Sequence, residues 1–244
     1  MKIMGQILFS LVVFALALLT QGNVETPKFK KDFLKPPEKI KYFTFGYNDL
    51  LTSVLWLRLV QNFDYCESGK YTKEDYVEPT KPIGNERLTG ILERKMKSSK
   101  CHLGWVYSML DVMTEIEPRF KLAYDTGATM LSVAVDDREG ARRIFEKGLT
   151  QYPNDWQLLF RAGYHYVWEL QNPKRAAELY TRAGQNGAPE WVLSFAGALY
   201  SRVGQAHIAK IVLEDAIKKN PEGRFTPRLK ERLDQVNQIL KENK

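Results

Sequence analysis

The sequence predicts an all-α protein, a row of antiparallel helix pairs, and three observations point there. From His102 onward apolar residues recur at intervals of three and four, the period of one helix face, and no alternating strand pattern of useful length interrupts them. Ala141, Ala176 and Ala209 sit in matching clusters of small and aromatic residues, 35 and 33 residues apart. Proline stands where helices must end, at Pro118, Pro153, Pro189 and Pro221. With 44% hydrophobic and 27% charged residues in 244, the composition is that of a globular chain rather than a disordered one.

The first element is residues 7–19, ILFSLVVFALALL, an apolar run of 13 residues preceded by Lys2. That length fits the core of a secretory signal and falls short of the ~20 residues that span a bilayer. Thr20 and Gly22 put small residues where a signal peptidase cuts before Asn23. Extending the run back to Ile3 also fits an uncleaved anchor, so residues 1–22 read as signal peptide or signal anchor. Both imply export, to a bacterial periplasm or cell envelope, with inner-membrane anchoring left open.

Residues 23–47 form a tether rich in Lys and Pro, carrying Lys28, Lys30, Lys31, Lys35, Lys39 and Lys41 with Pro27, Pro36 and Pro37. Together with Arg94, Lys95, Lys97 and Lys100 it supplies much of the net charge of +7. Such a run is either a solvated linker or a contact for anionic headgroups, at roughly 1 kcal/mol per residue. No nucleic acid is expected. The basic residues are not interleaved with aromatics along one face, and no nucleic-acid motif occurs.

Asn48 or Asp49 is placed to cap a strongly apolar helix over residues 50–63. Leu51, Val54, Leu55, Trp56 and Leu59 cover more than one of its faces, which argues burial on two sides. Residues 67–100 then break the pattern with Pro79, Pro82, Gly69, Gly84 and Gly90 around one short helical stretch at 86–96. This reads as an insertion between two helices. Cys66 closes the first helix and Cys101 opens the next, so antiparallel neighbours would bring the two thiols together. A disulfide is the candidate, with two buried free thiols as the alternative.

The next helix occupies residues 102–117, with Trp105, Val106, Met109, Leu110 and Met113 at helical spacing, and Pro118 ends it. Beyond lies the repeat. In its last copy Gly197 is followed by Tyr200, Gly204, Ala209, Leu213, Ala216 and Pro221. The middle copy has Ala162, Gly163, Tyr166, Ala176, Tyr180 and Ala183; the first has Gly127, Ala128, Ala141, Phe145, Gly148 and Pro153. Gly163 and Ala176 are 13 apart where Gly197 and Ala209 are 12, an extra residue that fits the turn at Gln171-Asn172-Pro173. Small residues let paired helices approach closely, and large ones fill the gaps.

At these offsets residues 119–223 resemble three tandem tetratricopeptide (TPR) repeats. The resemblance implies a right-handed α-α superhelix of TPR-type helix hairpins, with residues 48–118 as a degenerate first pair and residues 224–244, whose helix runs over 228–242, as the capping helix. Trp56-Leu57-Arg58 early, then Glu117-Pro118-Arg119-Phe120, is similar to exported bacterial TPR proteins of unassigned role.

The family also implies a partner-binding concave face. Its groove positions fall on Leu122, Asp125, Thr129, Ser132 and Val133 in the first copy and on Gln157, Phe160, Tyr164, Val167 and Trp168 in the second. In the third they are Trp191, Ser194, Ala198, Ser201 and Arg202. Phe160, Tyr164, Trp168, Trp191 and Arg202, with Asp125, are thus the candidate binding residues for a protein or peptide, aromatics and arginine being the usual anchors. Some of the aromatics equally suit packing between helices. The family's clamp for a terminal carboxylate is absent, its positions holding Asp125, Thr129, Arg161, Trp191 and Phe195.

Nothing suggests catalysis. There is no P-loop, no G-x-S-x-G elbow and no H-E-x-x-H, and His102, His165 and His207 lie in different repeats without ligand spacing. No metal, cofactor or catalytic residue is expected. The function read from the sequence is an envelope adaptor or assembly factor, with a structural membrane tether as the alternative.

Overall fold

The computed structural model describes residues 36–37, 39–63, 66 and 99–242. The signal or anchor over 1–22, most of the basic tether, nearly all of the insertion with its short helical stretch, and Arg94, Lys95 and Lys97 lie outside the described residues. Among those described, the structure is helical, without strand. A 3-10 turn at Ile40–Phe43 leads to α1 (Asn48–Val60), and α2 is Trp105–Ile116. Helix α3 runs through three end-to-end stretches: π-bonded Ala123–Gly127, α-bonded Ala128–Met130 and π-bonded Leu131–Val135. Then follow α4 (Arg138–Gln151), α5 (Trp156–Trp168), α6 (Pro173–Gln185), α7 (Trp191–Arg202), α8 (Ala206–Lys219) and α9 (Thr226–Glu242).

Each helix packs on its successor in the chain. In addition α2 reaches α4, α3 reaches α5, and α9 reaches α7. The core lies between these helices and contains Trp105, Tyr124, Phe145, Leu158 and Tyr180, all almost fully buried. Close approach is made by removing side chains. A Cβ on Gly163 would meet the Tyr180 ring at 2.9 Å, and one on Gly197 would meet Leu213 at 2.9 Å.

The repeat is written into the backbone of the three hairpin turns. Asp136 (φ 57°), Gln171 (φ 50°) and Gly204 (φ 74°) are left-handed, and each precedes its repeat alanine by five residues. Such a residue after a helix lets the next N–H reach back to an orphan carbonyl. Asp137 N–H donates to Leu131 O at 2.9 Å and Asn172 N–H to Tyr166 O at 2.7 Å, both six residues back. Gln205 N–H donates to Tyr200 O at 2.8 Å, only five back. The third turn is therefore one residue shorter, which is where the extra residue between Gly163 and Ala176 is accommodated. Asp137 and Asn172 then cap the next helix, accepting from Gly140 N–H at 2.8 Å and Arg175 N–H at 3.0 Å. The longer Gln205 makes no cap bond.

Several boundaries differ from the sequence reading. Neither Asn48 nor Asp49 caps α1: the capping position is Tyr47, without a side-chain bond, because left-handed Phe45 and Gly46 turn the chain and Asn48 is already helical. Helix α2 starts at Trp105 rather than His102. Leu103 is left-handed, and Gly104 N–H is held by the Asp137 carboxylate at 3.0 Å. Helix α9 begins at Thr226, whose hydroxyl donates to Asn220 O at 2.7 Å. The largest difference is in α1, which buries Thr52, Leu55 and Leu59 against α2 while Leu50, Val54 and Leu57 stay exposed. One face is covered, not two.

Cys66 and Cys101 are joined by a disulfide, with Cα atoms 5.9 Å apart. Cys101 N–H also donates to Asp136 O at 3.2 Å, so the strand of chain entering α2 is tied to the first hairpin turn. Across the pair, Lys41 Nζ lies 2.9 Å from a Glu115 carboxylate oxygen and links the 3-10 turn to α2.

Candidate functional site

The first helices of the three repeats, α3, α5 and α7, carry the candidate face, and the two junctions between them differ in chemistry. Between α3 and α5 the contact is ionic. Asp155 caps α5 by accepting from Leu158 N–H at 2.9 Å and pairs with Lys121 at 2.9 Å. Against the cost of partial burial, that N–H and the Lys121 ammonium hold the Asp155 carboxyl below the usual carboxylate range. Arg161 Nε lies 2.7 Å from Asp125 Oδ1, and Lys121 Nζ is 3.6 Å from Asp125 Oδ2. Asp125 is therefore turned toward its neighbours and mostly covered.

Between α5 and α7 the contact is aromatic. The Phe160 ring stands edge-on to Trp191 with centroids 5.5 Å apart, and lies 5.4 Å from Tyr180, which in turn meets Phe195 at 5.1 Å. These spacings suit quadrupole-driven ring packing. Helices α5 and α7 approach each other less closely than α3 and α5 or α7 and α9. A cleft of about 510 Å³ opens there, lined by Trp156, Gln157, Phe160, Arg161, Pro189 and Trp191.

The other candidates lie elsewhere on the face. Tyr164 and Trp168 pair with each other on α5, centroids 6.0 Å apart, and Tyr164 is exposed. Arg202, near the end of α7, is half-buried beside Arg232 of α9. Burial, then the like charge of Arg232, pulls its proton affinity down. Val167 and Ser194 are buried, and Ser132 points into the core, where its hydroxyl meets His165. The six candidates thus divide into a paired acid (Asp125), a cleft (Phe160 and Trp191), an aromatic pair one turn farther (Tyr164 and Trp168) and an arginine at the far end (Arg202).

Sequence reading missed Trp156 and Pro189. Both flank a helix start rather than a groove position: Trp156 directly follows the capping Asp155, and Pro189 precedes α7. An aromatic immediately after a cap is the available signal, because the first turn of a helix has no preceding turn to cover it.

The cleft offers apolar and polar surface against which a side chain can rest. Two indoles and a phenyl ring supply apolar area, Arg161 a charge, Gln157 an amide. Among the described residues no group of His, Cys, Asp and Glu is arranged to hold a metal ion, and no helix is long and apolar enough to cross a membrane. The chain matches no protein-family model and no curated protein.

Proposed function

We propose that the chain is a TPR-type interaction module, exported behind its N-terminal segment to the bacterial cell envelope. There it acts as an adaptor or assembly factor by taking a peptide or partner helix against α3, α5 and α7. The observation that carries this reading is the cleft between α5 and α7, in which Trp156, Phe160 and Trp191 converge beside Arg161. Aromatic and arginine anchors around a concavity are the composition of binding hot spots. The recurrence of left-handed turns five residues before Ala141, Ala176 and Ala209 supports the repeat family and the superhelix that such hairpins build.

A crosslinking pull-down from the native host tests it. Trp156→Ala with Gln157→Ala removes cleft contacts from side chains that are not core, and Tyr164→Ala with Trp168→Ala removes the neighbouring pair. Loss of one specific partner with either double variant, at unchanged thermal stability, supports the reading. Undiminished recovery with both would favour the second reading, a structural membrane tether in which the array merely spaces the insertion at 67–100 from the bilayer, without a groove ligand. The apolar outward face of α1 is the observation on that side.

A further inference from the structure

Helix α1 is apolar on opposite sides and only one side is covered. Thr52, Leu55 and Leu59 face α2, whereas Leu50, Val54 and Leu57 form a stripe on the far side, 62%, 54% and 61% exposed. Their spacing of four and three keeps them in register along the roughly 20 Å of a 13-residue helix. Just before it in the chain Tyr42, Phe43, Phe45 and Tyr47 are exposed as well, Phe45 at 86%. Seven exposed large apolar or aromatic residues within 16 positions of the chain point to an interaction site.

We propose that this surface, the 3-10 turn at Ile40–Phe43 together with the outer face of α1, docks on an anionic lipid bilayer, lying in the headgroup region parallel to the membrane plane. Three features favour lipid over a protein partner. The residues are those of a bilayer interface, with phenolic and phenyl rings at one end and aliphatic side chains along the helix. The chain leading into the surface carries Lys28, Lys30, Lys31, Lys35 and Lys39 against Glu25, Asp32 and Glu38, a net charge opposite to that of anionic headgroups. Twenty residues separate the apolar run of residues 7–19 from Ile40 and cannot span more than about 70 Å, so if that run enters a bilayer, α1 is tethered within reach of the same surface. This inference does not depend on the groove, which lies on α3, α5 and α7.

The test uses the full chain with an environment-sensitive fluorophore on Val54→Cys, the native cysteines being disulfide-bonded, and with Ile211→Cys on exposed α8 as control. Vesicles are phosphatidylcholine with phosphatidylglycerol, with and without brominated acyl chains. The expected result is a blue shift at position 54 on adding anionic vesicles and quenching by the brominated lipid. Position 211 should show neither. Leu50→Glu with Leu57→Glu, both at exposed sites, should keep the melting temperature and abolish the quenching. A label at 54 that stays in water on vesicles overturns the proposal. So does one already shielded without lipid, whether the shielding is lost on dilution, which points to a second copy, or lost when residues 67–98 are deleted, which points to the chain's own insertion.

Discussion

Ser132 Oγ lies 2.7 Å from His165 Nδ1, joining α3 of one repeat to α5 of the next inside the core. The other ring nitrogen, Nε2, is 3.1 Å from the Arg138 carbonyl, which only accepts. Nε2 therefore carries the proton, and Nδ1 accepts from the serine hydroxyl. The imidazole is neutral and satisfied on both sides, and burial pushes its pKa down to about 3.

That pKa sets a pH dependence. Unfolded, the imidazole takes up a proton near 6.5; folded, it does not until about 3. Across that interval the unfolded chain binds more protons, so stability is fully present above pH 6.5 and falls as the pH drops. The contribution should amount to roughly 1–2 kcal/mol between pH 6 and 4.5. Urea unfolding at several pH values checks it against His165→Gln, which keeps hydrogen-bonding groups and does not titrate. Parallel losses in the two proteins would remove the assignment.

Asp137 is fully buried, with Oδ1 accepting from Gly140 N–H and Oδ2 from Gly104 N–H. It caps α4 and fixes the start of α2 at once. Asp137→Ala leaves both amides without that partner, and the expected cost is about 2–4 kcal/mol. Hydrogen exchange gives the finer readout: protection at Gly104 and Gly140 should fall together, ahead of amides in α7 and α8.

Two glycine substitutions separate sterics from backbone conformation. Gly163→Ala puts a methyl 2.9 Å from the buried Tyr180 ring, so something must shift, and about 1–2 kcal/mol should be lost despite alanine's better helix propensity. Gly204→Ala meets no atom within 4 Å, yet its φ of +74° is costly for any residue with a Cβ. About 1 kcal/mol should be lost there by backbone conformation alone. Thermal melts compare the two, and a stabilised Gly204→Ala would contradict the left-handed turn.

The disulfide closes a loop with a sequence separation of 35. On the chain-entropy account its removal by Cys66→Ser with Cys101→Ser should cost about 3–4 kcal/mol. A protease cut anywhere between residues 67 and 98 should leave two fragments that separate on a denaturing gel only after reductant. Fragments that part without reductant would show the bond absent from the isolated protein.

Much of the repeat is legible in the sequence because it rests on local steric demands. Gly163 and Gly197 oppose large side chains, and the one-residue difference between turns falls at the Gln171-Asn172-Pro173 segment where the spacing put it. The site is less legible. Asp125 and Ser132 occupy groove positions by register, yet one is held by Lys121 and Arg161 and the other by His165. Trp156 and Pro189 enter the cleft from helix starts that no groove register includes.

The chain's own residues determined the helices, their turns and the 35- and 33-residue spacing, since caps, left-handed residues and helical periodicity act within a few residues of one another. Tertiary structure alone decided how far apart α5 and α7 stand, because that distance follows from how Phe160, Trp191, Tyr180 and Phe195 fit together across three helices. It also decided that one apolar face of α1 is covered by α2 while the other is left outward. Periodicity records that a face is apolar. What comes to lie against it depends on packing between elements distant in the chain.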